Sequence, residues 1–95
     1  MIRSDLPRGV QAAQVAHAAG AYGPHPPETH VVVLAVPDEP SLSKLADRMV
    51  AAGIPHRLVD EPDEPWNGQS MAIGCELLTD RSRVRKVVSQ LPLLR

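Results

Sequence analysis

Aromatic side chains are scarce in this chain: there is no Phe, one Trp (Trp66) and one Tyr (Tyr22). The core must therefore be assembled from Ala, Val, Leu and Ile, and few rings remain to stack on nucleic-acid bases. Cysteine is scarcer still. Cys75 stands alone, which excludes an intrachain disulfide and fits a reducing, cytoplasmic setting. Charge of one sign is not in excess, and the net charge is -1. No global field draws the chain to nucleic acid or a membrane, so any RNA contact has to be a local patch. No apolar run approaches the ~20 residues of a membrane span, and Met1-Ile2-Arg3 does not open a run of signal length. Ninety-five residues make one domain with room for a single core.

What is present is a regular alternation of patterns. Met1–Ser4 reads as a very short strand, and Pro7 and Gly9 punctuate a turn. An alanine-rich helix follows over residues 10 to 19, with Gly20 as its stop. Residues 20 to 29 are a loop by composition. His30–Val36, an almost continuous β-branched run, predicts a strand covered on both faces. Asp38-Glu39-Pro40 opens a second helix, with acids in the first turn and Pro where it is tolerated. Its stripe is Leu42, Leu45, Ala46, Met49 and Val50, and Gly53 ends it. Pro55–Asp60 reads as a short strand and Glu61–Gly68 as an acidic loop. Gln69–Cys75 is another strand, and Thr79 or Asp80 caps a last helix carrying Val84, Val87, Val88 and Leu91. The order β-α-β-α-β-β-α predicts a three-layer α/β/α sandwich.

Four groups of residues carry potential chemistry. Gln14 and His17 share a face at i and i+3. They read either as an amide beside an imidazole able to orient or deprotonate water, or as polar groups satisfied at the edge of the core. The Gly9 turn exposes helix-start N–H groups suited to a phosphate or an oxyanion, with Arg3 and Arg8 flanking it as guanidinium forks. Asp60 ends a strand, where α/β folds gather ligands, and its carboxylate would fix His17 or accept from a ligand. Gln69 and Ser70 follow the Trp66-Asn67-Gly68 turn and would supply donors to a bound ester. The cluster Arg81, Arg83, Arg85 and Lys86 reads either as a phosphate contact or as a solvated helix face. His25, His30 and His56 show no ligand spacing and Cys75 has no metal partner nearby in sequence, so no zinc site is expected.

Taken together, Arg-x-Asp-Leu (3–6) followed by Gly-x-x-Ala-Ala-Gln-x-x-His-Ala (9–18) resembles the opening of the type II peptidyl-tRNA hydrolase family. The likeness continues through Val31–Val36, Pro37-Asp38-Glu39, Ala52-Gly53-Ile54, a strand closing on Asp60, and Gln69-Ser70-x-Ala-Ile-Gly. It covers nearly the whole chain, and the first motif is the more specific part. The resemblance implies a compact α/β domain with a four-stranded mixed sheet between helices. It also implies cleavage of the ester joining a peptide to the 3′-terminal ribose of tRNA, no metal or organic cofactor, and often a homodimer. Carried over residue by residue, the active region is Gly9, Gln14 and His17 on the first helix, with Asp60 and Ser70 completing it. The tRNA 3′ end is then the partner.

This sequence departs from the family pattern in three places. Val10 stands where the family carries a lysine at the helix entrance. Glu61–Trp66 is acidic and proline-rich where the family has a longer loop with a threonine. Only Met1 and Ile2 precede the Arg-x-Asp-Leu motif. Two functions therefore stand at this level. One is an ester hydrolase in which His17, poised by Asp60, acts on water while Gln14 and the N–H groups after Gly9 stabilise charge. The other is a binding module for tRNA or a protein partner that keeps the fold without the reaction.

Overall fold

The computed structural model describes residues 1–78 and 80–95. In chain order the elements are β1 (Ile2–Arg3), α1 (Arg8–Ala19), β2 (Ala35–Val36), α2 (Glu39–Ala51), β3 (His56–Glu61), β4 (Gln69–Cys75) and α3 (Ser82–Val88). The β-α-β-α-β-β-α order is as the periodicity predicts. Among the described residues the four strands form one mixed sheet in the order β2-β1-β4-β3, an α/β fold. β1 runs parallel to β2 and antiparallel to β4, and β3 and β4 form an antiparallel hairpin.

The core is divided between two clusters rather than gathered in one. Ile73 of β4 joins Leu42, Leu45, Ala46, Met49 and Val87 from α2 and α3. Its neighbour Ala72 joins Ile2, Leu6, Ala18 and Met71, with Val10 and Val15 of α1 packed against them. Successive residues of a strand point to opposite faces, so a strand lined on both sides produces this split. Gly74 is the tightest point. A Cβ there would overlap the Ala18 carbonyl oxygen, so α1 approaches β4 as closely as backbone allows.

α2 forms as its sequence dictates. Asp38 caps it by accepting from the Ser41 N–H at 2.9 Å, and a proline sits in the first turn. Leu42, Leu45, Ala46 and Met49 are buried, each large side chain contributing about 1.5–3 kcal/mol. Val50 is the exception: it lies at the margin of the stripe and is 69% exposed. After α2, Gly53 takes φ +67, the left-handed conformation in which glycine ends helices most readily. At α3 the expected Asp80 cap is corrected: the N-cap position is Arg81, with no side-chain cap, and Asp80 one residue earlier accepts the Ser82 N–H at 2.9 Å, while Thr79, the other expected cap, lies outside the described residues.

The expectation for His30–Val36 is corrected. Only Ala35 and Val36 form a strand, Leu34 makes an isolated bridge to Leu93, and Val31 and Val32 are 61% and 56% exposed. The physical reason is the length of the neighbour. β1 offers two residues for pairing, Ile2 to Ala35 and Arg3 to Val36, and a β-branched run without a partner strand has nothing to be covered by. The outer edge of β2 is closed by the C-terminal segment, through Ala35 N–H to Pro92 O at 2.8 Å and Leu94 N–H to Val33 O at 3.0 Å. A second correction concerns Gly9. It is the second residue of α1 rather than part of the preceding turn, and it faces open space.

Candidate functional site

Five element ends meet at one end of the sheet: the C-terminal ends of β1 and β3, the first residues of β4, and the starts of α1 and α2. α/β folds place ligands at the carboxyl ends of parallel strands, here β1 and β2. Arg3, the last residue of β1, is 5% exposed. Its Nε and Nη2 donate to the two carboxylate oxygens of Asp5, both at 2.9 Å, and its Nη1 donates to Gln69 Oε1 and Ser70 O, both at 3.0 Å. The bond to Asp5 holds the guanidinium above its ordinary pKa against the opposing effect of burial.

Ser70 is fixed on three sides. Arg3 holds its carbonyl, Glu39 Oε2 at the start of α2 accepts its N–H at 2.6 Å, and its Oγ donates to Asp60 Oδ1 at 2.9 Å. The last contact depends on a β-bulge. The register passes from Val59–Ala72 to Asp60–Ser70, leaving Met71 as the extra residue of β4. Asp60 is exposed at the strand end, so a hydroxyl and a carboxylate stand together where solvent and substrate can reach them.

Gln14 is 4% exposed and crosses from α1 to β3, where its Nε2 donates to Glu61 Oε2 at 3.0 Å. The other Glu61 oxygen accepts the Asp63 N–H at 3.2 Å. Asp60 and Glu61 are consecutive on β3 and therefore point to opposite faces. Gln14 and Asp60 thus make separate contacts and do not share a partner. His17 lies further along α1, about 12 Å of helix rise beyond Gly9. It is exposed and makes no hydrogen bond among the described residues. The sequence-predicted group of amide, imidazole and aspartate is not brought into mutual contact; Asp60 is joined by Ser70 instead.

No family model, curated protein or solved structure matches this chain. What the arrangement can do must be read from its own chemistry. The first turn of α1 has no side-chain cap and no acidic residue, so its N–H groups stay open to an anion. Arg8 is exposed beside them, whereas Arg3, with its guanidinium committed to Asp5, Gln69 and Ser70, has no donor pair to offer a phosphate. Among the described residues no three His, Cys, Asp or Glu side chains group as a metal set. An apolar groove of about 590 Å³ lies at the other end of the sheet, beside Met1, Val31–Val33 and Cys75; of the candidate groups only Arg81 and Arg85 of the basic cluster line it.

Sequence reasoning missed Asp5, Glu39 and Glu61. Asp5 was legible as part of Arg-x-Asp-Leu. Glu39 reads as a dipole-matching acid, and nothing in the sequence says that it reaches β4. Glu61 differs from Asp60 only by strand parity, which pairing register decides.

Proposed function

We propose that the chain hydrolyses the ester of peptidyl-tRNA, or of an N-blocked aminoacyl-tRNA, releasing free tRNA in the cytoplasm. The observation that carries this reading is the solvent-facing Asp60–Ser70 pair, held in place by Arg3 and Glu39. The resemblance of residues 3–18 to the type II peptidyl-tRNA hydrolases supplies the substrate class. In this reading Asp60 takes a proton from water as the water attacks the ester carbonyl, and the Ser70 hydroxyl orients that carboxylate. The open N–H groups at the start of α1 receive the developing oxyanion, and as the intermediate collapses and the ester C–O bond breaks, Asp60 returns its proton to the leaving ribose 3′-oxygen. Arg8 meets the RNA phosphate in place of the helix-entrance cation that Val10 cannot supply. His17, far along α1 and unpartnered among the described residues, is assigned no step.

The test is release of free tRNA from N-acetyl-aminoacyl-tRNA. Asp60→Asn is expected to lower kcat about 100-fold or more, with Ser70→Ala following in the same direction and His17→Ala staying within a few-fold of the parent. Unchanged turnover in Asp60→Asn removes the site; no release by the parent chain removes the reaction. A second reading, a binding module without catalysis, draws on a specific observation. Asp60, Glu61, Asp63 and Glu64 crowd the same end of the sheet, and Arg3 there is already neutralised by Asp5. Such a surface repels phosphate. Its signature is neither release nor retention of tRNA at low salt.

A further inference from the structure

We propose that the exposed arc of α3 is a docking surface for the phosphate backbone of RNA. The choice of RNA over other polyanions rests on the proposed hydrolase reading; the surface itself does not. Arg81, Arg83, Arg85 and Lys86 fall within six residues and are all exposed. At 100° per residue, Val84, Val87 and Val88 point one way, and they pack on the α2 cluster. The remaining arc is then held by Arg85, Lys86 and Arg83 in succession, with Arg81 beside Arg85 at the helix start.

One acid stands close to this arc: Asp80, whose carboxyl is lowered first by its bonds with Ser82 and also by the charge of Arg83. Among the described residues none of the four cations is in an ion pair. Asp80 accepts the Ser82 N–H and keeps its charge, and Glu28 and Glu76 line the groove beside Arg81 and Arg85, so the surplus of cations is greatest on the side of Lys86. Arg83 also donates Nη1 to the Gly53 carbonyl at 3.3 Å, which anchors it between α3 and the end of α2. Four of the ten basic residues are thus concentrated on one short helix and its N-cap residue, in a chain whose net charge is -1. The field is local, as recognition of a polyanion by a near-neutral protein requires. Three of the four are arginines, whose forks match phosphate oxygens two at a time. A membrane surface fits less well. Helices that lie on bilayers insert an apolar face, and the apolar face of α3 is already used in the core.

The experiment measures binding of deacylated tRNA by fluorescence anisotropy across a KCl series. It compares the parent with Arg81→Ala/Arg85→Ala/Lys86→Ala, leaving Arg83 on the Gly53 carbonyl, and with Arg81→Lys/Arg85→Lys. Circular dichroism confirms that each variant is folded. The parent should lose affinity linearly in log[KCl]. The triple alanine variant should bind about tenfold more weakly at low salt, its slope shallower by roughly 0.7–0.9 per contact removed. The lysine variant keeps the charge and should keep the slope.

Unchanged binding by the triple variant overturns the proposal. So does a parent that fails to bind tRNA at low salt, or one that binds phosphatidylserine vesicles and not tRNA. Cleavage of N-acetyl-aminoacyl-adenosine, an ester without an RNA backbone, is read on the same proteins. tRNA binding through α3 with no cleavage of that ester leaves the docking surface standing and removes the hydrolase. Cleavage with tRNA binding indifferent to α3 does the reverse.

Discussion

Gly74 shows how much one hydrogen atom decides. The alanine-rich face of α1 reads in sequence as a helix able to lie close to a sheet, and the Ala18 carbonyl does meet Gly74 of β4 without room for a methyl group. Gly74→Ala should therefore destabilise by about 3 kcal/mol, the top of the usual overpacking range, because the obstacle is backbone and no rotamer relieves it. Gly9→Ala is the control: that position is helical and open, so the change should stabilise by about 0.5–1 kcal/mol. Urea unfolding of the pair checks both signs. Equal effects would mean that α1 can move away from the sheet at little cost. Asp38 gives a pH test at the same scale. Hydrogen bonding from Ser41 lowers its carboxyl below the ordinary 3.8. The sign is that of a depressed acid: its stabilising contribution is complete above 3.8 and disappears as pH falls through that value toward the folded pKa. Asn caps without titrating, so the difference in Tm between the parent and Asp38→Asn should be set near neutral pH and shrink below pH 3.8. A difference independent of pH would show that Asp38 caps without its charge.

Elements were legible where their signals are internal. α2 carries its cap, its stripe and its glycine stop within a short stretch of sequence, and each lies where the pattern put it except Val50, at the stripe's margin. β2 was not, because strand length belongs to the pair. The run Val31–Val36 has every residue a strand favours, yet two-residue β1 limits it to Ala35 and Val36. The same limit blurred the site. Asp60 could be placed at a strand end from its spacing, but its partner depends on the bulge at Met71, and a bulge leaves no mark in periodicity. Gln14 was legible as a residue needing a reason, and the reason is Glu61 rather than Asp60. Here the contact joins α1 to β3 across a buried amide. Gln14→Ala should cost about 1.5–3 kcal/mol, the range for a hydrogen bond to a charged group, measured by urea unfolding. If stability instead stays level while tRNA release falls, Gln14 acts on substrate and its bond to Glu61 is only a resting contact.

At the scale of the whole molecule, the sheet keeps its polar work and its apolar surface at opposite ends. Arg3, Asp60, Ser70 and Glu39 cluster beside the starts of α1 and α2, while Val31, Val32 and Leu77 are exposed near the groove at Met1 and Cys75. Unpaired sheet margins carrying apolar side chains invite pairing with another chain. The C-terminal segment covers Val33 and Ala35 but leaves Val31 and Val32 in solvent. Because these two side chains are mostly exposed, Val31→Thr/Val32→Lys should leave the unfolding free energy within about 0.5 kcal/mol of the parent. The same change should lower the apparent mass in sedimentation velocity at high protein concentration, since Lys on an open margin blocks strand addition. A fall in stability of several times that size would show that the valines are covered within the monomer. An unchanged mass distribution would place any self-association on another face.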